Sequence, residues 1–247
     1  MKKYLELVCE HLEKIERTQH ERIQKAGSLL AEMIAQDRLI YVFGAGGHTS
    51  LVTGEMFFRI GGFANIYPIS ELGLTALSPA RKFIALERCQ GLGCSLVSSS
   101  GIGIGDVLVL FHTIGVNATC IEAAKEAKKL GAKVIGIASD QWQDETPRNA
   151  EIRSAGGENL RDIVDIYIND CNTVDDAAVE LEGMSVKAGP LSGIGTFAIA
   201  HMMEIAAMQE CLKRGIVPPV WANANTPEGA EQNSYLMEKY SKVVPML

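Results

Sequence analysis

The feature that most restricts the fold is an order repeated along the chain: a short apolar run, a loop, and then a helical pattern. The apolar runs are rich in β-branched and aromatic residues, which favour strands. Strands that are apolar along their whole length are typical of a parallel sheet covered by helices on both faces. The sequence therefore predicts a doubly wound α/β domain with a five-stranded parallel sheet. The predicted strands are residues 39–43, 65–69, 107–111, 133–138 and 163–168.

Helical periodicity accounts for most of the remaining chain. Apolar residues recur at helical spacing from residue 4 to residue 34, which predicts one long amphipathic helix. Its centre is polar, so we expect part of residues 1–36 to lie in an interface with a partner chain. Residues 1–247 are predicted to form a single domain, with residues 140–160 as a long loop. Further helices are predicted at residues 50–60, 79–91, 117–130, 189–214 and 231–240.

Composition excludes several classes of protein. Hydrophobic residues make up 47% and charged residues 21%, which is ordinary for a globular chain and not for a disordered one. The formal charge of −7 offers no broad basic surface, so no nucleic-acid partner is expected. No apolar run reaches membrane-spanning length and the N-terminus does not resemble a signal peptide, so we expect a cytoplasmic protein without a membrane partner. The cysteine and histidine spacings suggest no metal site, and we expect no cofactor.

Two loops lie where ligands bind in an open α/β sheet, beyond the carboxyl ends of strands. The first loop, residues 44–50, reads Gly-Ala-Gly-Gly-His-Thr-Ser and leads into a predicted helix. Its glycines allow close approach of the backbone to an anion, although a plain strand-to-helix turn is the alternative. Thr49 stands where a dinucleotide fingerprint has its third glycine, and no P-loop lysine follows. The run at residues 101–105 precedes a strand and is interpreted as structural.

The second loop, residues 112–119, follows the third predicted strand and enters a helix near Asn117. Taken alone, Asn117 or Thr119 is explained as a helix N-cap. Two polar loops that face one crevice favour a phosphate site more strongly than either loop alone. The candidate ligand-binding residues are Gly44, Gly46, Gly47, His48, Thr49, Ser50, Thr113, Gly115 and Asn117.

These motifs resemble those of SIS (sugar isomerase) domains. The resemblance begins with residues 41–50 and 105–111, continues through residues 175–180, 189–192 and 223–233, and covers nearly the whole chain. It is strongest with uncharacterised bacterial SIS proteins similar to phosphoheptose isomerases. The resemblance implies a flavodoxin-like five-stranded sheet and a homodimer or homotetramer. It also implies a phosphorylated sugar as the ligand, with subunits sharing the site.

The resemblance further implies an acid and base pair, a glutamate on the helix after the first loop and a histidine on a late helix. Glu55, after a small gap, and His201 are the matching positions. Aldose–ketose isomerisation moves a proton between neighbouring carbons, which a carboxylate and an imidazole can accomplish near neutral pH. The alternative is that Glu55 only pairs with Arg59 at i+4 and that His201 is satisfied inside an apolar helix.

The second loop departs from the Ser-x-Ser-Gly pattern of such domains, because His112 and Ile114 replace its two serines. The leading prediction is a phosphosugar isomerase similar to phosphoheptose isomerases. Two alternatives stay open: a phosphosugar-binding sensor or regulator without turnover, and a lyase of the muramic-phosphate etherase type. The acidic residues Asp175, Asp176, Glu180 and Glu182 are expected to be solvated or to lie at a helix N-terminus.

Overall fold

Five parallel strands form the centre of the protein in the computed structural model, which describes residues 1–247. Their order across the sheet is β2-β1-β3-β4-β5, and all neighbouring strands are parallel. This is the strand order of flavodoxin-like doubly wound folds. The predicted fold is therefore confirmed. The strands are β1 (Ile40–Gly44), β2 (Ile66–Ile69), β3 (Val107–Phe111), β4 (Lys133–Ala138) and β5 (Ile166–Asn169).

Eight helices surround the sheet, and two short strands, β6 (Ala177–Val179) and β7 (Ala188–Pro190), form an antiparallel hairpin beside it. The long N-terminal helix is confirmed as α1. Short 3-10 turns occur at Leu72–Leu74 and Leu160–Asp162. The helices are α1 (Lys2–Ala35), α2 (Ser50–Met56), α3 (Ala80–Glu87), α4 (Leu92–Ser99), α5 (Ala118–Lys129), α6 (Asp140–Glu145), α7 (Ser192–Lys213) and α8 (Pro227–Tyr240).

Several predicted boundaries were wrong, each for a local reason. The helix predicted at 79–91 already ends at Glu87 as α3, and a separate helix, α4, begins after Gly91, which adopts a left-handed conformation with φ of 83°. Residues 140–160, predicted as loop throughout, begin with α6, whose Trp142 N–H donates to the Ser139 hydroxyl. The helix predicted at 50–60 stops at Met56. The closing helix begins at Pro227 instead of residue 231, after the Thr226 cap.

Alternate residues of the strands face two hydrophobic cores. Val42 and Val109 pack with α1, α2 and α7 on one face, whereas Phe43 and Leu110 pack with α4 and α5 on the other. Burial on both faces explains why the strands are apolar along their length. On the first face, α1 and α7 approach closely, because a Cβ added at Gly27 would lie 2.5 Å from the Cβ of Ala206.

We expect Gly27→Ala to destabilise the protein and Gly54→Ala to stabilise it, although both replace a glycine in a helix. The methyl group at position 27 would collide with α7, and overpacking costs about 1–3 kcal/mol, more than the roughly 1 kcal/mol gained in helix propensity. At Gly54 nothing lies within 4 Å of the added Cβ, so only the gain remains. Denaturant unfolding of both variants measures the difference. Equal stabilisation by the two substitutions would contradict the close contact of α1 with α7.

Candidate functional site

A cleft of about 180 Å³ opens at the carboxyl edge of the sheet, between the ends of β1 and β3. The strand order reverses at this pair, since β2 lies on one side of β1 and β3 on the other. Doubly wound folds bind their ligands at such a reversal. The cleft is lined by Gly46, Gly47, His48, Thr49, Glu87, His112, Thr113, Ile114, Trp142, Asp176 and Ser192.

The first loop is shaped by close backbone contacts. A Cβ at Gly44 would lie 1.9 Å from the Thr49 carbonyl oxygen, and a Cβ at Gly47 would lie 2.6 Å from the Phe83 ring. The Gly44 N–H donates to the Thr53 hydroxyl at 2.7 Å, which fixes the start of the loop against α2. The glycines are thus required by the packing of α2 and α3 on the loop.

The donors of the first loop are only partly free. The Gly47 N–H donates to Glu87 Oε1 at 2.7 Å, and the Ser50 hydroxyl donates to the Gly47 carbonyl at 2.7 Å. The N–H groups of His48 and Thr49 have no acceptor within the protein. Gly44 and Ser50 line a separate cavity of about 260 Å³ beside α2. The part of the first loop that faces the cleft is therefore Gly46 to Thr49.

The second loop contributes less to the cleft than its sequence suggests. Thr113 and Ile114 line it, but Gly115 and Asn117 do not. The Gly115 carbonyl accepts the Leu160 N–H at 2.9 Å, and Asn117 is only 1% exposed. The segment after α6 covers the start of α5 in this way. The residues at that helix N-terminus are consequently buried and do not line the cleft.

His112 forms part of the buried wall of the cleft. Its Nδ1 accepts the Gly115 N–H at 2.9 Å, so its own proton lies on Nε2. Burial lowers the pKa of His112 to about 4. The imidazole is therefore neutral at physiological pH, and it can donate one hydrogen bond but supplies no positive charge.

Two carboxylates of the cleft were not among the predicted site residues. Burial raises the pKa of Glu87, which lies in the last turn of α3. Asp176 accepts the Leu191 and Ser192 N–H groups at 3.1 and 2.9 Å and so caps α7, which confirms the expected place at a helix N-terminus. Sequence periodicity gave no signal for Glu87, because its contact with the first loop joins residues 40 positions apart.

Glu55 and His201 lie together, but outside the cleft. His201 Nε2 is 3.3 Å from Glu55 Oε1, and its Nδ1 is 3.1 Å from Oε2 of Glu204, which is 2% exposed. Arg59 Nε contacts the same Glu55 oxygen at 3.0 Å. The hydrogen bond that His201 donates to the Glu204 carboxylate raises the pKa of the imidazole. The chain thus holds a carboxylate–imidazole–carboxylate arrangement in which Glu204, missed in the sequence, orients the ring.

A buried carboxyl group lies behind the cleft at the end of β5. Asp170 is fully buried, its Oδ1 accepts the Asn172 N–H at 3.0 Å, and its Oδ2 has no partner. Burial raises the pKa of Asp170 to about 7. The hydroxyl of neighbouring Thr113, in the cleft wall, faces this carboxyl group and lowers its pKa, but less than burial raises it.

The structure shows neither a group of metal ligands nor a membrane-spanning helix. No three His, Cys, Asp or Glu residues are grouped in a way that could hold a metal ion. No helix has both the length and the apolar character needed to cross a bilayer.

The fold and the loop motifs together define the class of protein. The SIS domain matches residues 3–139, and the chain belongs to the SIS domain family. It is 32% identical to a UPF0309 protein of Thermoanaerobacter pseudethanolicus, an alignment that covers 99% of this chain and 98% of the relative. A UPF0309 protein of Streptomyces griseus is 33% identical, with 93% of this chain and 90% of the relative covered.

The fold is also similar to solved phosphoheptose isomerases. The enzyme of Neisseria gonorrhoeae gives a TM-score of 0.53 at 17% identity, and the alignment covers 84% of this chain and 96% of the enzyme. The enzyme of Francisella tularensis gives 0.51 at 14% identity, with the same coverage. At these identities the similarity establishes the fold.

We expect Glu204→Gln to lower the pKa of His201, because a neutral amide stabilises the imidazolium less than a carboxylate does. Since the pKa of His201 is raised in the folded protein, this histidine stabilises the fold below its unfolded pKa, and the contribution is lost as pH rises through the folded pKa. NMR titration of the His201 ring measures the change, with His20, paired only with exposed Glu16, as internal control. An unchanged titration of His201 would contradict the orienting role of Glu204.

We expect Asp170→Asn to stabilise the protein above pH 7 by on the order of a few kcal/mol. The wild-type carboxyl has a raised folded pKa, so wild-type stability falls as pH rises from the unfolded value of about 4 to about 7. The difference between the two proteins should therefore vanish at low pH. Unfolding curves across this range test it, with exposed Asp175→Asn as control. A destabilised Asp170→Asn protein at pH 8 would show that the ionised group is needed.

Proposed function

We propose that the protein binds a phosphorylated sugar in the cleft and interconverts its aldose and ketose forms. The observation that carries the proposal is the meeting of the first and second loops in one cleft at the reversal of strand order. Two solved proteins of this fold are phosphoheptose isomerases by name, which supports the same class of substrate.

The cleft offers groups suited to both parts of such a ligand. The free N–H groups of His48 and Thr49 can hold phosphate oxygens, since backbone amides attract anions without a charged side chain. The hydroxyl of Thr113 lines the cleft, and those of Thr49 and Ser192, which donate to the Gly46 carbonyl and to Asp176, can still accept a hydrogen bond from a sugar hydroxyl. In this proposal Gly44, Gly46, Gly47 and Ser50 shape the first loop, and Gly115 and Asn117 support the second from behind.

We assign proton transfer to Glu55 and His201. Their mutual contact supports a shared role, and Glu204 holds the imidazole in position. Because neither lines the cleft of its own chain, the proposal places the sugar between two copies, in the cleft of one and beside the pair of the other. Exposed apolar side chains, with Ile205 54% exposed one turn after His201 on α7 and Leu5 64% exposed on α1, support contact with a second copy.

We expect Glu55→Gln to lower kcat for sugar-phosphate isomerisation by roughly 10²- to 10⁴-fold, the usual contribution of a general acid or base. Binding should persist, because Glu55 lies outside the cleft. Thermal shift with a panel of aldose and ketose phosphates first identifies the substrate, and turnover assays on it follow. Glu210→Gln is the matched control, since Glu210 pairs with Arg214 at i+4 as Glu55 pairs with Arg59. Equal turnover in wild type and Glu55→Gln would overturn the assignment.

One observation favours a second function, a phosphosugar-binding sensor without turnover. Within one chain the cleft and the proton-transfer pair are separate, so binding does not by itself bring a sugar to Glu55 and His201. Stabilisation by a sugar phosphate with no conversion of any sugar phosphate would support the sensor. If no sugar phosphate stabilises the protein, both functions are excluded.

A further inference from the structure

The carboxylate of Glu87 lies at the buried end of the cleft. Gly46 and Gly47 are buried there, and Glu87 Oε1 accepts the Gly47 N–H at 2.7 Å. A Cβ at Gly46 would lie 3.0 Å from the same oxygen, so the carboxylate sits directly against both glycines. An amide in the middle of the first loop, where an anion would be held, thus already donates to the protein's own carboxylate.

The charges of the side chains that line the buried end of the cleft do not favour the binding of a phosphate. No lysine or arginine lines the cleft, and Asp176 adds a second carboxylate. His112 beside Gly46 is neutral, since burial lowers its pKa to about 4. A phosphate at Gly47 would therefore lie against the like charge of Glu87. The basic side chains that act on this carboxylate, Arg88 and His48, offset its burial only in part, because the pKa of Glu87 is still raised, and Arg88 does not line the cleft.

At the open end of the cleft, by contrast, backbone N–H groups are free to bind an anion. His48 is exposed and Thr49 is half-buried, and the N–H groups of both have no protein acceptor. The Glu87 contact is with Gly47, so these two amides remain available to an anion. The two ends of one cleft therefore differ in the kind of group that they accept.

We infer that Glu87 sets the orientation of the ligand, which enters with a hydroxyl or amino end toward Gly47 and leaves its phosphate at His48 and Thr49. The inference rests on the proposed function, because it takes a phosphorylated sugar as the ligand. Glu87 Oε2 accepts no hydrogen bond from the protein, so a hydroxyl or ammonium group of the sugar can donate to it. Glu87 is thus a specificity-determining residue of the cleft.

The experiment maps where an anion binds, with sulfate as the probe. Backbone amide NMR follows Gly47, His48 and Thr49 during sulfate titrations of wild type, Glu87→Gln and Glu87→Ala. Glu122→Gln is the matched control, because Glu122 accepts the Gly91 N–H at 2.7 Å in the same kind of contact outside the cleft.

In wild type we expect sulfate to shift the His48 and Thr49 amides and to leave Gly47 unchanged. In Glu87→Ala the Gly47 amide should shift as well, and sulfate should bind about tenfold more tightly or better, as expected when a like charge is removed. Glu87→Gln, which removes the charge but keeps a carbonyl oxygen, should also bind more tightly. Glu122→Gln should behave as wild type.

Other outcomes separate this inference from the proposed function. A wild-type Gly47 amide that shifts with sulfate as strongly as Thr49 would overturn the inference, and so would Glu87 variants that bind sulfate no better than wild type. If wild type also binds sugar phosphates in the thermal-shift assay, the proposed function stands despite that failure. If sulfate shifts the amides of wild type and of the Glu87 variants as expected but no sugar phosphate stabilises wild type, the effect of Glu87 on anion position holds and the proposed function fails.

Discussion

The pairing of β1 with β3 is the constraint on which the candidate site depends. The two strands run in parallel register from Ile40 opposite Val107 to Gly44 opposite Phe111. The ladder continues one residue into the first loop, where the Ala45 N–H donates to the Phe111 carbonyl at 3.0 Å. Both loops therefore leave the sheet at the same level and side by side. The cleft between them is a consequence of strand order, and its lining is a consequence of which side chains the surrounding helices supply.

The strands and the position of the cleft could be predicted because they depend on local patterns. Continuous apolar runs such as Val107–Phe111 identify buried parallel strands, and a loop after each of two such strands identifies the ligand-binding edge. Helix α4 was missed because its sequence, rich in serine and glycine, carries little helix propensity, and tertiary packing of Gly93 on the Thr119 carbonyl holds it instead. The predictive power of the sequence ends where structure depends on distant contacts.

For the site residues, too, local sequence patterns were informative and contacts between distant residues could not be predicted. Gly46 to Thr49 lie in the cleft as the loop motif suggested, whereas Asn117 is buried beneath a segment that the sequence left as irregular loop. The glycines were interpreted as making room for an anion, and the structure shows that Gly47 makes room for the Phe83 ring. Glu87 and Asp176 reach the cleft from other parts of the chain. Only the assembled fold shows that carboxylates, and no lysine or arginine, line this cleft.

Four acidic residues share a physical pattern that bears on function. Glu87, Asp170, Asp176 and Glu204 are at least partly buried, and each accepts a hydrogen bond or contacts an imidazole. Burying a carboxylate is costly unless such partners compensate for the lost water. Burial raises the pKa of two of them, Glu87 and Asp170, and carboxyl groups with raised pKa values are frequent at functional sites.

Helix α2 connects the first loop of the cleft to the contact between Glu55 and His201. It begins directly after the first loop and carries Glu55 one residue before its end, about 8 Å along the helix axis from Ser50 at the usual rise per residue. Thr53 on the same helix accepts the Gly44 N–H, and Val52 and Met56 are fully buried, so the helix and the loop are fixed to each other. A ligand that moved the first loop would have to move α2 and hence the contact between Glu55 and His201. Within one chain, the position of the first loop and the contact between Glu55 and His201 are therefore coupled through one short, well-packed helix.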